Sequence, residues 1–188
     1  GTLLLFAAIN NPDLFSKIIL LDPVLLPVSY HFSWRIVKKL GLTSKFNPLI
    51  ESTLQRRRKF NSKEEMYERY RKKKVFSKFS EDALRNYIES AVTEIENGQI
   101  KLIYSPELEA EIYLSGLMID PEIWRGLLKI NSPITILYET KSISFPASSR
   151  KKFSKLQKSC KMIEFPDYSH LFPLEMPEKV YSILRENF

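Results

Sequence analysis

The sequence predicts an α/β fold in which helices flank a parallel β-sheet. Three short runs, at residues 17–21, 134–138 and 161–165, are rich in Ile and Leu or alternate apolar with polar side chains, as strands do. The first two are continuously apolar, which is typical of strands covered on both faces. Segments with helical spacing stand between and around these runs, and this alternation is the pattern of an α/β sandwich.

The first elements follow from the N-terminal residues. Residues 2–10 are apolar on every face and end at the cluster Asn10-Asn11-Pro12-Asp13, which predicts a buried helix. The strand at 17–21 follows and is bounded by Asp22-Pro23. We therefore expect Asp22 at the carboxyl end of a central strand.

The C-terminal elements have the same character. Pro133 introduces the strand at 134–138, and the polar segment 147–159 carries Phe153 and Leu156 on one face, as a crossover helix would. The strand at 161–165 is shorter and weaker. A last helix begins at Pro177, since Pro is favoured in the first turn and apolar residues recur at helical spacing after it.

The middle of the chain, 28–118, reads as an insertion into this frame. Ser62-Lys63-Glu64-Glu65 is a capping box that starts a helix. Apolar residues over 83–95 form one face of a second helix, which ends before Asn97-Gly98, and a short third helix is expected over 107–114. The predicted domains are thus a frame of residues 1–27 and 119–188 and a mostly helical insertion of residues 28–118.

The charge of the molecule is concentrated in the insertion. The 188 residues carry 29 Lys and Arg against 22 Asp and Glu, a net charge of +7. Residues 56–74 contain ten basic and three acidic residues, a difference of seven that equals the whole net charge. One interpretation is a surface for an anionic substrate, acidic lipid or nucleic acid. The interpretation we favour is a solvated helical face, so no nucleic-acid partner is expected.

Several classes of protein are excluded or disfavoured by composition. An apolar content of 44% excludes wholesale disorder, and no apolar run approaches the roughly 18–20 residues of a membrane span. Cys160 is alone and cannot form an internal disulfide, which favours a cytoplasmic location. One Cys and two distant His give no zinc spacing, and five glycines form no phosphate loop, so neither a metal nor a cofactor is expected.

The strongest signal for chemistry is the segment 167–178, in which His170 follows a strand and precedes an apolar pair and a Pro177-Glu178 helix start. This segment resembles the loop after the last strand of the α/β-hydrolase-fold superfamily. The resemblance implies that His170 is a general base. Gly1-Thr2-Leu3-Leu4-Leu5-Phe6-Ala7-Ala8 resembles the end of the G-x-S-x-G nucleophile elbow of that superfamily, running into its buried helix. The nucleophilic Ser is then expected two or three residues before Gly1.

The sequence does not decide which acid would orient His170. Most of the superfamily carries an Asp in the loop after the strand at 134–138, where this chain offers only Glu139. A minority places the acid after the preceding strand, where Asp22 stands. Leu21-Asp22-Pro23 also occurs in members whose acid lies elsewhere, so Asp22, Glu139 and neither of them are all alternatives.

The resemblance implies hydrolysis of an ester, amide or similar bond through a covalent Ser intermediate, without a cofactor. An apolar, aromatic-rich insertion favours a small hydrophobic ester as substrate. The alternative is a non-catalytic protein that binds an acidic partner through its basic insertion. His31, beside Tyr30, Phe32 and Trp34, is either a pocket residue or a packing residue of the insertion.

Overall fold

The computed structural model describes residues 1–41, 48–115 and 120–187. These residues form two compact units. The first comprises Gly1–Gly41, Gly116–Pro173 and Pro177–Phe188, and the second comprises Leu42–Ser115 and Leu174–Met176. Residues 28–41, which we assigned to the insertion, lie in the first unit because their helix packs on the one that begins at Asp120. The predicted domain boundaries themselves stay a prediction.

The elements in the described ranges are as follows, in chain order. The helices are α1 Thr2–Asn10, α2 Val28–Lys39, α3 Pro48–Leu54, α4 Lys63–Arg71, α5 Glu81–Ala91, α6 Pro106–Ser115, α7 Asp120–Gly126, α8 Ala147–Leu156, α9 Phe172–Glu175 and α10 Pro177–Asn187. The strands are β1 Ile18–Leu21, β2 Lys59–Phe60, β3 Val92–Glu94, β4 Ile100–Leu102, β5 Ile134–Glu139 and β6 Lys161–Phe165. Short 3₁₀ turns lie at Lys74–Phe76, Glu96–Gly98 and Leu127–Lys129.

A parallel sheet in the order β1-β5-β6 is the centre of the first unit. Ile18 pairs with Ile134 and Leu21 with Leu137, while Glu139 pairs with Phe165. Successive side chains of a strand point to opposite faces, so β1 contributes to two separate cores. The predicted α/β class with a parallel sheet is confirmed, and so are its three strands.

Helices cover both faces of this sheet. On one face Leu5, Ile123, Leu127 and Phe153 are fully buried together with Leu20 and Ile136 of the strands. On the other face Leu137 and Phe165 are buried with Phe172 and with Val180 of α10. Burial of this kind stabilises a fold by roughly 25 cal/mol for each Å² of apolar surface removed from water.

The second unit contains a small antiparallel sheet, in the order β2-β4-β3, beside its helices. The predicted start of α4 is confirmed, because the Ser62 hydroxyl accepts the Glu65 N–H at 3.1 Å. The predicted helix over 83–95 is wrong beyond Ala91, where β3 begins. Val92 and Thr93 are β-branched and pair with β4, and Asn97 (φ 64°) and Gly98 (φ 73°) make the turn between the strands.

None of the helices in the described part of the chain is long and apolar enough to cross a lipid bilayer.

Candidate active site

The polar residues singled out by sequence meet at the carboxyl edge of the parallel sheet. Asp22 directly follows β1, Glu139 is the last residue of β5, and His170 lies in the loop after β6. Since the three strands are parallel and paired, their carboxyl ends lie at one edge. Ligands of open α/β sheets bind at this edge, so the fold brings candidate side chains together there.

Asp22 is fixed by its backbone as well as by its side chain. Its N–H donates to the Leu137 carbonyl at 2.7 Å, which extends the pairing of β1 with β5 by one residue. Its φ of 40° lies in the left-handed region, which is unfavourable for most residues and least so for Asn and Asp. The residue is 1% exposed. Its carboxylate is therefore held out of solvent at the edge of the sheet.

His170 lies directly against this carboxylate. Its Nδ1 is 2.7 Å from Oδ2 of Asp22, and its ring is 48% exposed. An ionised carboxylate only accepts hydrogen bonds, so Nδ1 carries the proton that is donated and the lone pair of the neutral ring lies on Nε2. The arrangement can therefore hold one tautomer of an imidazole and leave its other nitrogen to take a proton.

The loop that carries His170 is anchored at both sides of the histidine. Asp167, with a φ of 66°, turns the chain after β6, and the Phe172 N–H donates to the Ser169 carbonyl at 2.9 Å. The Phe172 ring is fully buried and stacks on Phe165 with 4.5 Å between ring centroids. These contacts restrict where the imidazole can lie.

Two further donors complete the surroundings of Asp22. The Ser142 hydroxyl donates to Oδ2 at 2.8 Å, and the Glu139 N–H lies 3.3 Å from Oδ1. Sequence reasoning did not select Ser142. A serine 120 positions from Asp22 carries no local pattern that links the two, and only the pairing of β1 with β5 brings them together.

Glu139, the other candidate acid, makes a local hydrogen bond. Its carboxylate accepts the Lys141 N–H at 2.6 Å, within the turn that follows β5. Of the two acids predicted as alternatives, Asp22 is the one that the structure brings to Nδ1 of His170.

His31 and Asp120 form a second buried pair, within the first unit. Nε2 of His31, on α2, lies 3.2 Å from Oδ2 of Asp120 at the start of α7, and the same oxygen accepts the Leu26 N–H at 3.0 Å. Asp120 is completely buried, and burial raises the pKa of its carboxyl while the Leu26 N–H and His31 act in the opposite direction.

Cys160 precedes β6, and burial raises the pKa of its thiol to about 11. The thiol is then protonated at neutral pH, which is unsuited to a nucleophile because the thiolate is the reactive form. Across the described ranges, no three or more His, Cys, Asp or Glu side chains group in a way that could hold a metal ion.

Comparisons of the sequence with family models and with curated proteins give no match. Solved structures do match. A peroxisomal alpha-beta-hydrolase from Saccharomyces cerevisiae matches 100% of this chain and 49% of its own length, at 16% identity and a TM-score of 0.73. An esterase from Mycobacterium tuberculosis matches 99% of this chain and 56% of its own, at 14% identity and a TM-score of 0.67.

The chain has part of an α/β-hydrolase fold. An E-2-(acetamidomethylene)succinate hydrolase agrees, with 16% identity, a TM-score of 0.68 and coverage of 97% of this chain and 60% of its own. The chain thus spans about half to three fifths of the length of these α/β-hydrolases. The resemblance identified by sequence is confirmed at the level of the fold.

Proposed function

We propose that the protein containing this chain is a serine hydrolase of small hydrophobic esters, with His170 as general base and Asp22 as the acid that orients it. The observation that carries the proposal is the 2.7 Å contact between Nδ1 of His170 and Oδ2 of Asp22 at the carboxyl edge of a hydrolase-type sheet. The nucleophilic Ser is proposed to precede Gly1. The coverage of only about half of the matched hydrolases is compatible with that position.

In this mechanism Nε2 of His170 takes the proton of the serine hydroxyl as the serine oxygen attacks the ester carbonyl carbon. The imidazolium then gives that proton to the departing alcohol, which leaves an acyl-enzyme. Water attacks the acyl carbon while Nε2 takes its proton, and the imidazolium then gives that proton to the departing serine oxygen, which releases the acid product. Asp22 stabilises the imidazolium in both steps without itself taking the proton.

The burial of Asp22 supports this role. The ring of His170, which carries the positive charge of the imidazolium, is 48% exposed, whereas the side chain of Asp22 is 0% exposed. Attraction between opposite charges is stronger where water is excluded from one partner. A buried carboxylate with three donors also has little freedom to turn away from the ring.

The ester class is supported by the relatives in fold. The match from Mycobacterium tuberculosis is described as an esterase, as is one from a marine microorganism at a TM-score of 0.55. A fold alone does not fix a substrate, so this part of the proposal depends on the esterase neighbours and on the aromatic character of the insertion.

The basic segment 56–74 gives no support to the alternative of an acidic partner. Arg56 donates to Glu109 from Nη1 and Nη2 at 2.6 and 3.0 Å, and Nη1 of Arg57 lies 2.6 Å from the Glu65 carboxylate. Arg58 contacts Glu107, and Lys63 contacts Glu89 at 2.7 Å. These contacts pair four of the ten basic residues of the segment with carboxylates of the second unit, and we propose no binding function for the segment.

The test uses the whole protein that contains this chain. It is expected to hydrolyse a short-chain p-nitrophenyl ester, and His170→Ala is expected to lower kcat by on the order of 10³-fold or more. Added imidazole should restore part of the activity, because the vacated space adjoins Asp22. Thermal unfolding of the variant serves as the control for folding. Unchanged turnover in His170→Ala would refute the role of His170.

A further inference from the structure

Ser142 lies in the loop that follows β5 and is buried beside Asp22. Its hydroxyl oxygen is 2.8 Å from Oδ2 of Asp22 and 3.0 Å from the N–H of Phe145. Since a backbone N–H can only donate, the Ser142 oxygen accepts from Phe145. The hydroxyl proton is then left to point at Asp22.

The loop around Ser142 is held by several backbone contacts. The Ser142 N–H donates to the Glu139 carbonyl at 3.1 Å, and the guanidinium of Arg150 donates to the carbonyls of Thr140 (3.0 Å) and Phe145 (2.7 Å). The Phe145 ring is fully buried and packs edge-to-face on Phe153, with 6.0 Å between centroids. The loop therefore fixes the position of the Ser142 hydroxyl beside Asp22.

Oδ2 of Asp22 accepts from two groups, the Ser142 hydroxyl and Nδ1 of His170. A donor on a carboxylate oxygen draws off part of its negative charge and also fixes the direction of its lone pairs. Ser142 thus bears on both the orientation of the imidazole and its affinity for a proton.

We propose that Ser142 is a positioning residue that acts through Asp22 on the basicity of His170. The inference rests on the proposed function, because it concerns the same acid–base pair. Removal of the hydroxyl leaves more negative charge on Oδ2 facing the ring, which favours the imidazolium. The His170 titration then moves to higher pH, and so does the acid limb of the activity profile.

Other titratable groups lie in the loops that carry Ser142 and His170, and a substitution at Ser142 leaves them in place. Glu139 and Lys141 lie at the end of β5 and in its loop, and Asp167 and Tyr168 lie in the loop that carries His170. A shift seen only on loss of the Ser142 hydroxyl is therefore assigned to that hydroxyl.

The experiment compares Ser142→Ala with the matched control Ser144→Ala in the natural protein. Ser144 lies in the same loop and contributes its backbone carbonyl to the Leu25 N–H at 2.9 Å, which alanine keeps. For Ser142→Ala we expect kcat to fall by about 10-fold with KM nearly unchanged, as for a lost hydrogen bond to a charged group that matters in the transition state. The acid limb of kcat/KM moves to higher pH, and Ser144→Ala keeps the wild-type profile.

A second readout does not depend on turnover. The imidazole titration of His170, followed by NMR and assigned by its loss in His170→Ala, should move to higher pH in Ser142→Ala. Ser142→Thr, which keeps a hydroxyl, should restore the wild-type titration. In an Asp22→Asn background the further change Ser142→Ala should leave the titration where it is.

Equal titrations and equal activity profiles in Ser142→Ala and Ser144→Ala would overturn the proposal. A shift that persists in the Asp22→Asn background would also overturn it, because Ser142 would then not act through Asp22. A shifted titration in a protein that hydrolyses no ester would support the Ser142 contact and overturn the proposed function.

Discussion

Asp22 combines three unusual properties in one residue: a positive φ, nearly complete burial and three hydrogen-bond donors around one carboxylate. A surface helix cap of the same sequence, Leu21-Asp22-Pro23, would need none of them. Unfavourable backbone conformations persist where the surrounding structure holds them, and they are frequent at functional sites. The local geometry of Asp22 thus agrees with a role beyond capping.

A pH-dependent prediction concerns Asp120, the other buried acid. Its folded-state pKa is raised by burial, so the folded protein binds this proton more tightly than the unfolded chain does. The protonated carboxyl contributes stability below its unfolded pKa of about 4, and this contribution is lost as the pH rises through the folded-state pKa. Asp120→Asn removes the titration but keeps an oxygen for the Leu26 N–H.

The free energy of unfolding of Asp120→Asn, minus that of the wild type, is therefore expected to increase as the pH rises above about 4. Urea unfolding of both proteins at a series of pH values measures this difference. A difference between the two free energies of unfolding that stays constant with pH would mean that burial does not raise the pKa of Asp120. A loss of stability of Asp120→Asn relative to the wild type as the pH rises would mean that the contact with His31 dominates.

At the level of single residues, the sequence predicts part of the candidate site and leaves the rest undecided. His170 is found from the residues around it, because the strand, the apolar pair and the Pro-Glu helix start are all local. The choice between Asp22 and Glu139 is not local: Asp22 and His170 are 148 positions apart, and their contact depends on strand order. Ser142 is missed for the same reason.

Among the elements, α1 and α7 pack so closely that no side-chain atom fits at Gly126. A Cβ added to Gly126 would lie 2.3 Å from Cγ2 of Ile9, a distance that real side chains do not show. We expect Gly126→Ala to destabilise the fold by roughly 1–3 kcal/mol through overpacking.

The control for this prediction is a substitution of Ile9, the residue that the added Cβ would contact. Ile9→Ala removes the clashing atom and alone should cost roughly 2–5 kcal/mol, because Ile9 is part of the buried core. The double variant should then cost less than the sum of the two single variants. Additive costs in thermal unfolding would mean that Gly126 and Ile9 do not share this space.

The elements of the first unit follow from sequence more closely than those of the second. Strands 134–138 and 161–165 are recognised because they are bounded by Pro or turn residues, and they pair with each other in one sheet. Strand β3 is missed because Val92 and Ile95 also fit the apolar spacing of the preceding helix. Pairing with β4, which no local pattern reveals, decides the conformation at 92–94.

On the scale of the whole molecule, strand order explains why the candidate site forms. With β5 between β1 and β6, the end of β5 supplies the Glu139 N–H to Asp22 and the loop after it supplies Ser142. In the described part of the chain β1 pairs on one side only, with β5. The chain spans about half of the length of the matched hydrolases.

The central claim, that Asp22 and not Glu139 orients His170, is tested most directly by the kcat of Asp22→Asn and Glu139→Gln in the natural protein on a p-nitrophenyl ester. Asp22→Asn should lower kcat by on the order of 10³–10⁴-fold, because an amide at this position no longer holds the correct tautomer of His170. Glu139→Gln should stay within a few-fold of the wild type, since an amide oxygen can still accept the Lys141 N–H. A loss in Glu139→Gln as large as that in Asp22→Asn, or full activity in Asp22→Asn, would contradict it.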